Sequence, residues 1–159
     1  MVIEELLVRG ASVNAKDREL RSPLHWAMPQ PNEIFEDDSI RVPVVRLLLK
    51  HETDIDARDS LGQALIHMAS RYGRGDIVAV LLEHGLDVNA RDFEMRTALH
   101  RASKVLFSRA SAHRLLEAVA DMHAADQTGQ TPLQIAEAPG NQTLREIFYS
   151  YRQSSPLES

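Results

Sequence analysis

A chain of 159 residues, 43% hydrophobic and carrying a net charge of −5, is long enough to bury one core. It lacks the cationic surplus of a general nucleic-acid or anionic-membrane binder. The absence of cysteine excludes a disulfide staple and a thiolate zinc site. No stretch has the length of a secretory apolar core or of a membrane span, so the expected residence is cytoplasmic, with the nucleus as the alternative.

In chain order, the first element is a lone helix over Val2 to Gly10 that carries the pair Leu6-Leu7. After it the chain repeats itself. A signature of apolar residue, polar residue and alanine follows each leucine pair: Val13-Asn14-Ala15, Ile55-Asp56-Ala57, Val88-Asn89-Ala90 and Met122-His123-Ala124. Its alanines lie 42, 33 and 34 residues apart. Two residues after each stands an aspartate: Asp17, Asp59, Asp92 or Asp126. Seven residues further on comes Leu24, Ile66, Leu99 or Leu133. A fixed period of this length marks a repeat architecture, in which each unit buries its faces only against its neighbours.

Each unit reads as helix, turn, helix and then an extended loop through Asp-x-x-Gly. Ser22 and Thr131 suit helix N-caps, whose oxygens accept free N–H groups of the first turn. Pro23 and Pro132 follow at the first helical position, where a missing N–H costs nothing. The second helix of the cleanest unit spans Asp76 to His84, with Ile77, Val78, Leu81 and Leu82 on one face. Gly85 fits the left-handed residue that ends it.

The tetrapeptides Ser22-Pro23-Leu24-His25, Ala64-Leu65-Ile66-His67, Thr97-Ala98-Leu99-His100 and Thr131-Pro132-Leu133-Gln134 resemble the Thr-Pro-Leu-His signature of ankyrin repeats. The pairs Leu48-Leu49, Leu81-Leu82 and Leu115-Leu116 stand in phase with them, and the similarity runs from about Ile3 to about Tyr151. It implies an all-α solenoid of stacked helix-turn-helix units with β-turn-like hairpin loops. The expected organisation is one domain over residues 1–153, with a half repeat at 1–15 and repeats at about 16–57, 58–90, 91–124 and 125–153. A flexible tail is expected over 154–159.

Three departures stand out. The first full unit is nine residues longer than the next, with the excess around Pro29 to Asp38, read as an exposed acidic loop anchored by Ile34 and Phe35. The third unit lacks a glycine between its helices, in the stretch Lys104 to Ser108. Glu52 and Val119 stand where a helix-ending glycine belongs, which costs about 1 kcal/mol if they adopt the left-handed conformation. The last helix is expected over Thr143 to Arg152.

The seven histidines raise the question of metal binding or acid–base chemistry. His25, His67 and His100 recur in phase, which explains them as structural residues bonding backbone. No pair has the spacing of a zinc helix, and no nucleophile motif or phosphate loop occurs. The sequence therefore asks for no catalytic residue, no metal and no cofactor.

In ankyrin-like proteins partners usually contact the loop tips and the exposed side of each first helix, along the concave face. Carried onto this sequence, the partner-binding set is Arg18, Glu19, Arg21, Trp26, Leu61, Gln63, Met68, Arg71, Tyr72, Phe93, Glu94, Arg96, Arg101 and Lys104. Its cations outnumber its anions, and its aromatic and arginine residues are of the types that dominate hot spots. The expected function is non-catalytic binding by a monomer of a protein with an acidic and apolar epitope, without nucleic acid or membrane. The alternatives are a small ankyrin-type inhibitor or regulator of an enzyme such as a kinase, a C-terminal targeting fragment of a larger multidomain protein, and an enzyme with a pocket under the 29–38 loop.

Overall fold

The computed structural model describes residues 2–28, 38–104 and 108–154. Among them run the helices α1 (Val2–Val8), α2 (Pro23–Trp26), α3 (Asp38–Leu49), α4 (Leu65–Arg71), α5 (Gly75–Glu83), α6 (Ala98–Ser103), α7 (Arg109–Glu117), α8 (Pro132–Ala136) and α9 (Gln142–Ser154). Each unit pairs a short first helix with a longer second one: α2 with α3, α4 with α5, α6 with α7, α8 with α9. Between units, α2, α4, α6 and α8 stack into one layer, and α3, α5, α7 and α9 into a second. No strand occurs among the described residues; a single antiparallel bridge joins Arg58 to Ala64 across the second tip.

The helix starts follow from residue chemistry. Thr131 Oγ1 accepts the Gln134 N–H at 3.2 Å, and Gln134 Oε1 accepts the Thr131 N–H at 3.0 Å. This reciprocal box satisfies two of the donors a helix leaves free. The three earlier units put a histidine where Gln134 stands. Its Nδ1 accepts the N-cap amide, from Ser22 at 3.1 Å, Ala64 at 3.2 Å and Thr97 at 3.0 Å. Ser22, read from the sequence as an acceptor for the first turn, instead places its hydroxyl 2.9 Å from His25 Nδ1 and caps no backbone N–H.

The shared flanks form the core. Leu24, Ile66 and Leu99 are fully buried and Leu133 nearly so, as are Leu48, Leu81, Leu115 and Leu116 of the second helices. Burying each such side chain contributes roughly 1.5–3 kcal/mol. The first leucine pair departs from this pattern. Leu6 is 52% exposed, and among the described residues no short helix packs on that flank of α1.

Helix ends show why odd residues are tolerated. Gly85 takes φ +86°, and Glu52 and Val119 take +49° and +62°, as their positions predicted. The Ala120 N–H closes on the Leu115 carbonyl at 3.0 Å, as Leu86 does on Leu81 at 3.3 Å. After Glu52 the Thr53 hydroxyl donates to the Leu48 carbonyl. Two further left-handed residues lie in the tips, Leu20 and Met95, both at φ +60°, where the other tips have Gly62 and Gly129. The closing helix α9 starts one residue earlier and ends two later than the sequence suggested. The anchors Ile34 and Phe35 and the gap residues 105–107 lie outside the described residues, as does the tail beyond Ser154.

Val119 is almost entirely exposed, so its methyl groups offset little of the left-handed strain. Val119→Gly is expected to raise the melting temperature, read by circular dichroism, by about 2 °C, the share of roughly 1 kcal/mol in a domain of this size. An unchanged or lower melting temperature would show that this cap is unstrained.

Candidate functional site

The tips share one construction. The Oδ1 atom of each leading aspartate accepts two backbone N–H groups, two and four residues on. For Asp17 these are Glu19 and Arg21, both at 2.9 Å. For Asp59 they are Leu61 and Gln63, both at 2.9 Å. For Asp92 they are Glu94 and Arg96 at 2.9 Å, and for Asp126 Thr128 at 2.8 Å and Gln130 at 3.1 Å. The aspartate's own N–H closes the turn on the carbonyl of the fourth residue, at 2.9–3.1 Å in every tip. Charge-assisted bonds of this kind are shorter and stronger than neutral ones.

In the first three units the second oxygen, Oδ2, takes side-chain donors that vary from unit to unit. Asp17 receives the indole Nε1 of Trp26 at 3.0 Å and the guanidinium of Arg21 at 3.1 Å. Asp59 receives the amide of Gln63 at 2.9 Å. Asp92 receives Arg96 at 3.1 Å and Arg101 at 2.8 Å. Burial alone would raise the Asp92 carboxyl, but the Arg96 amide and the Arg101 and Arg96 guanidinium groups outweigh it, so its pKa falls below the ordinary aspartate value. In Asp17 and Asp126 the same contest between burial and donated hydrogen bonds ends the same way.

Neighbouring tips are tied edge to edge. The residue after each aspartate donates its N–H to the preceding tip: Ser60 to Glu19 at 2.8 Å, Phe93 to Leu61 at 3.3 Å, Gln127 to Glu94 at 3.0 Å. The buried histidines add a second tie. His67 Nε2 donates to the Arg96 carbonyl at 2.9 Å and His100 Nε2 to Gln130 at 3.1 Å, each reaching the next tip. His25 feels the Gln63 carbonyl similarly, but its Nε2 stops short of a formed hydrogen bond. An Nδ1 that accepts a backbone N–H carries no proton, so all three rings are neutral. Burial holds all three below the usual histidine pKa. They serve the backbone, and among the described residues no three His, Asp or Glu side chains gather as a metal-binding group.

The sequence-predicted contact residues separate into two kinds. Leu61, Phe93 and Trp26 project, at 61%, 69% and 50% exposure, and Arg18, Glu19, Arg71, Glu94 and Lys104 are exposed with them. Phe93 lies flat over the second tip, so close that any side chain at Gly62 would strike its ring. Met68 and Tyr72 are half-buried, Tyr72 lying 5.7 Å beneath the Arg71 guanidinium. The remaining four hold the tips together. Gln63 is buried, and Arg21, Arg96 and Arg101 are largely covered and paired to aspartate. Arg21 also stacks 4.1 Å over Trp26 and meets Glu19 at 2.5 Å, and Arg96 likewise meets Glu94.

Arg58 and Arg91 stand directly before Asp59 and Asp92 in sequence, yet their guanidinium groups go elsewhere. Arg58 donates to the Gly62 and Arg91 carbonyls at 2.8 and 2.7 Å, and Arg91 to Ala125 at 3.1 Å. Neither pairs with a carboxylate among the described residues, so their charge stays on the tip edge. The recurrence of a base immediately before the aspartate was the signal available. Asn14 and Asn89 were also missed: each accepts an amide of the next unit's helix-ending turn, Asp54 or Asp121, at 2.8 Å.

Stacked helix pairs with aspartate-locked tips define a repeat solenoid that displays a continuous row of loops. The family model described as "Ankyrin repeats (3 copies)" matches residues 1–92 and 37–118. The chain belongs to the ankyrin-repeat family. Such repeats generally mediate protein–protein interaction and are typically non-catalytic. No helix among the described residues is long and apolar enough to cross a membrane.

The histidines give a pH dependence of defined sign. A group whose folded pKa is depressed binds fewer protons folded than unfolded, so its stability is complete above the unfolded value, about 6.5, and drains as pH falls below it. The melting temperature is expected to drop on acidification from about pH 7 to about pH 5. In His67→Gln/His100→Gln, whose glutamines can cap as Gln134 does, part of that slope should vanish in the same thermal scans. An unaltered slope would mean the rings are not buried neutral.

Proposed function

We propose that this chain is a non-catalytic receptor for a protein segment that is both acidic and apolar, bound along the tips and short first helices, the concave face of an ankyrin stack. The observation that carries this reading is the exposure of Leu61 and Phe93 on tips that are already bonded in place, with Trp26 exposed at the end of the first short helix and bonded to the Asp17 tip. A surface ordered before binding loses little entropy on association. Large exposed apolar side chains on such a surface are of the kind that supply binding energy.

Charge points to the partner's sign. Glu19 and Glu94 each pair with an arginine, Arg21 or Arg96, that also binds the aspartate of its tip. Arg18, Arg58, Arg71, Arg91 and Lys104 have no carboxylate partner among the described residues, so the face offers unpaired cations although the chain is acidic overall. Partner carboxylates would raise the association rate and fix the register. The receptor acts as a monomer, in the cytoplasm or nucleus, and recruits neither metal nor cofactor.

Tyr72→Ala combined with Phe93→Ala removes one half-buried and one exposed ring and no tip bond. Affinity purification from native lysate should recover the wild-type partner and lose it with the double variant, at unchanged helical content and melting temperature. A variant that unfolds would place the two rings in the core, and one that keeps the partner would move the site elsewhere.

A further inference from the structure

We propose that the partner segment of the tip face is a polyproline-II stretch whose carboxylates recur every third residue, in register with Arg58 and Arg91. This rests on the reading of the face as a receptor for an acidic and apolar segment, and adds that segment's conformation and spacing. Arg58 and Arg91 are both exposed and occupy the same place in neighbouring units, 33 residues apart. Arg58 Nη1 donates to the Gly62 carbonyl at 2.8 Å and to the Arg91 carbonyl at 2.7 Å, and Arg91 Nη1 donates to the Ala125 carbonyl at 3.1 Å. Each guanidinium is thus pinned by one nitrogen, and among the described residues its Nε and Nη2 meet no acceptor. The remaining N–H groups form the fork that binds a carboxylate with two parallel hydrogen bonds. Arg71 and Lys104, at the ends of α4 and α6, are a second pair of exposed cations one unit apart.

The spacing of these cations follows from the stack. Each unit adds two backbone hydrogen-bond steps along the tips: the Asp59 N–H to Gln63 within a tip, and the Ser60 N–H to Glu19 between tips. Two such steps span about 9.5 Å, and neighbouring packed helices lie roughly 8–10 Å apart. A polyproline-II helix has about three residues per turn and a rise of about 3.1 Å, so residues i and i+3 share a face about 9 Å apart. A β-strand returns to one face every second residue, at about 6.7 and then about 13 Å, and misses the repeat both times. Hydrogen bonding closes off strand addition as well. The amides of Ser60, Phe93 and Gln127 are given to preceding tips, and the carbonyls of Gly62, Arg91 and Ala125 receive guanidinium groups. A polyproline-II backbone stays solvated and asks for none of these groups. An α-helix would set matching carboxylates seven residues apart, about 10.5 Å. The polyproline form is favoured because proline-rich segments dock on aromatic side chains, and Trp26 and Phe93 project from this face.

The probes are two fluorescein-labelled, proline-rich nonapeptides of identical composition, one with its two glutamates three residues apart and the other with them two residues apart. Each is mixed with the whole chain at up to roughly 1 mM and binding is read by fluorescence anisotropy. The three-residue spacing should bind at least fivefold more tightly. Arg58→Gln/Arg91→Gln, whose amides can still serve the tip carbonyls, should erase that preference at an unchanged melting temperature. The preference itself is read on the unmodified chain, so it is decided whether or not the variant folds. Equal binding of the two peptides would overturn the register and leave only attraction between opposite charges. Binding of neither would overturn the polyproline partner. Tighter binding of an alanine-rich helical peptide with glutamates seven residues apart would give the face to an α-helix and overturn the proposal too. The reading beneath it fails separately, if Tyr72→Ala/Phe93→Ala still captures the partner from native lysate.

Discussion

The Oδ1 oxygen of an aspartate accepting two backbone N–H groups sets the geometry of each tip, and the other functional features follow from that geometry. With the turn fixed, the fourth residue's carbonyl points back to the buried histidine of the preceding unit, and the residue after the aspartate points its N–H along the row. The side chains at the apex, Leu61 and Phe93 among them, are then forced outward. The carboxylate's second oxygen absorbs whatever donors its unit supplies, an indole and a guanidinium in the first, an amide in the second and two guanidinium groups in the third. Variation is thereby confined to groups that do not alter the backbone.

This arrangement explains how imperfect units persist. Leu20 and Met95 occupy left-handed positions that favour glycine, yet their tips bond as Gly62's and Gly129's do. Aspartate bonding, tip-to-tip bonds and buried neighbours over-determine the turn, so strain of about 1 kcal/mol is tolerated. The same holds at Val119, where the Leu115 carbonyl is still satisfied.

The architecture was legible because it rests on local chemistry repeated in phase. The helix start at Thr131, helix ends at Gly85, Glu52 and Val119, and the phased histidines all sit where residue type and period placed them. The contact face was only partly legible, since spacing shows which residues share a position and not which way each side chain is committed. Arg21, Gln63, Arg96 and Arg101 occupy contact positions but are spent on aspartates. Arg58 and Arg91 stand beside aspartates in sequence and hold carbonyls across tips. The exposure of Leu6 was hidden for another reason: a leucine is buried by its neighbours, and the pattern within a unit does not reveal which neighbours it meets.

Amide hydrogen exchange, read residue by residue by NMR, tests the locked tips most directly. The account predicts strong protection at Glu19, Leu61, Glu94 and Thr128, amides that look exposed but bond to aspartate. In Asp92→Asn, protection should fall at Glu94 and Arg96 while Leu61 and Gln63 keep theirs. Tip amides exchanging at open-loop rates in the wild-type chain would contradict it, because the row would then have no fixed form to present.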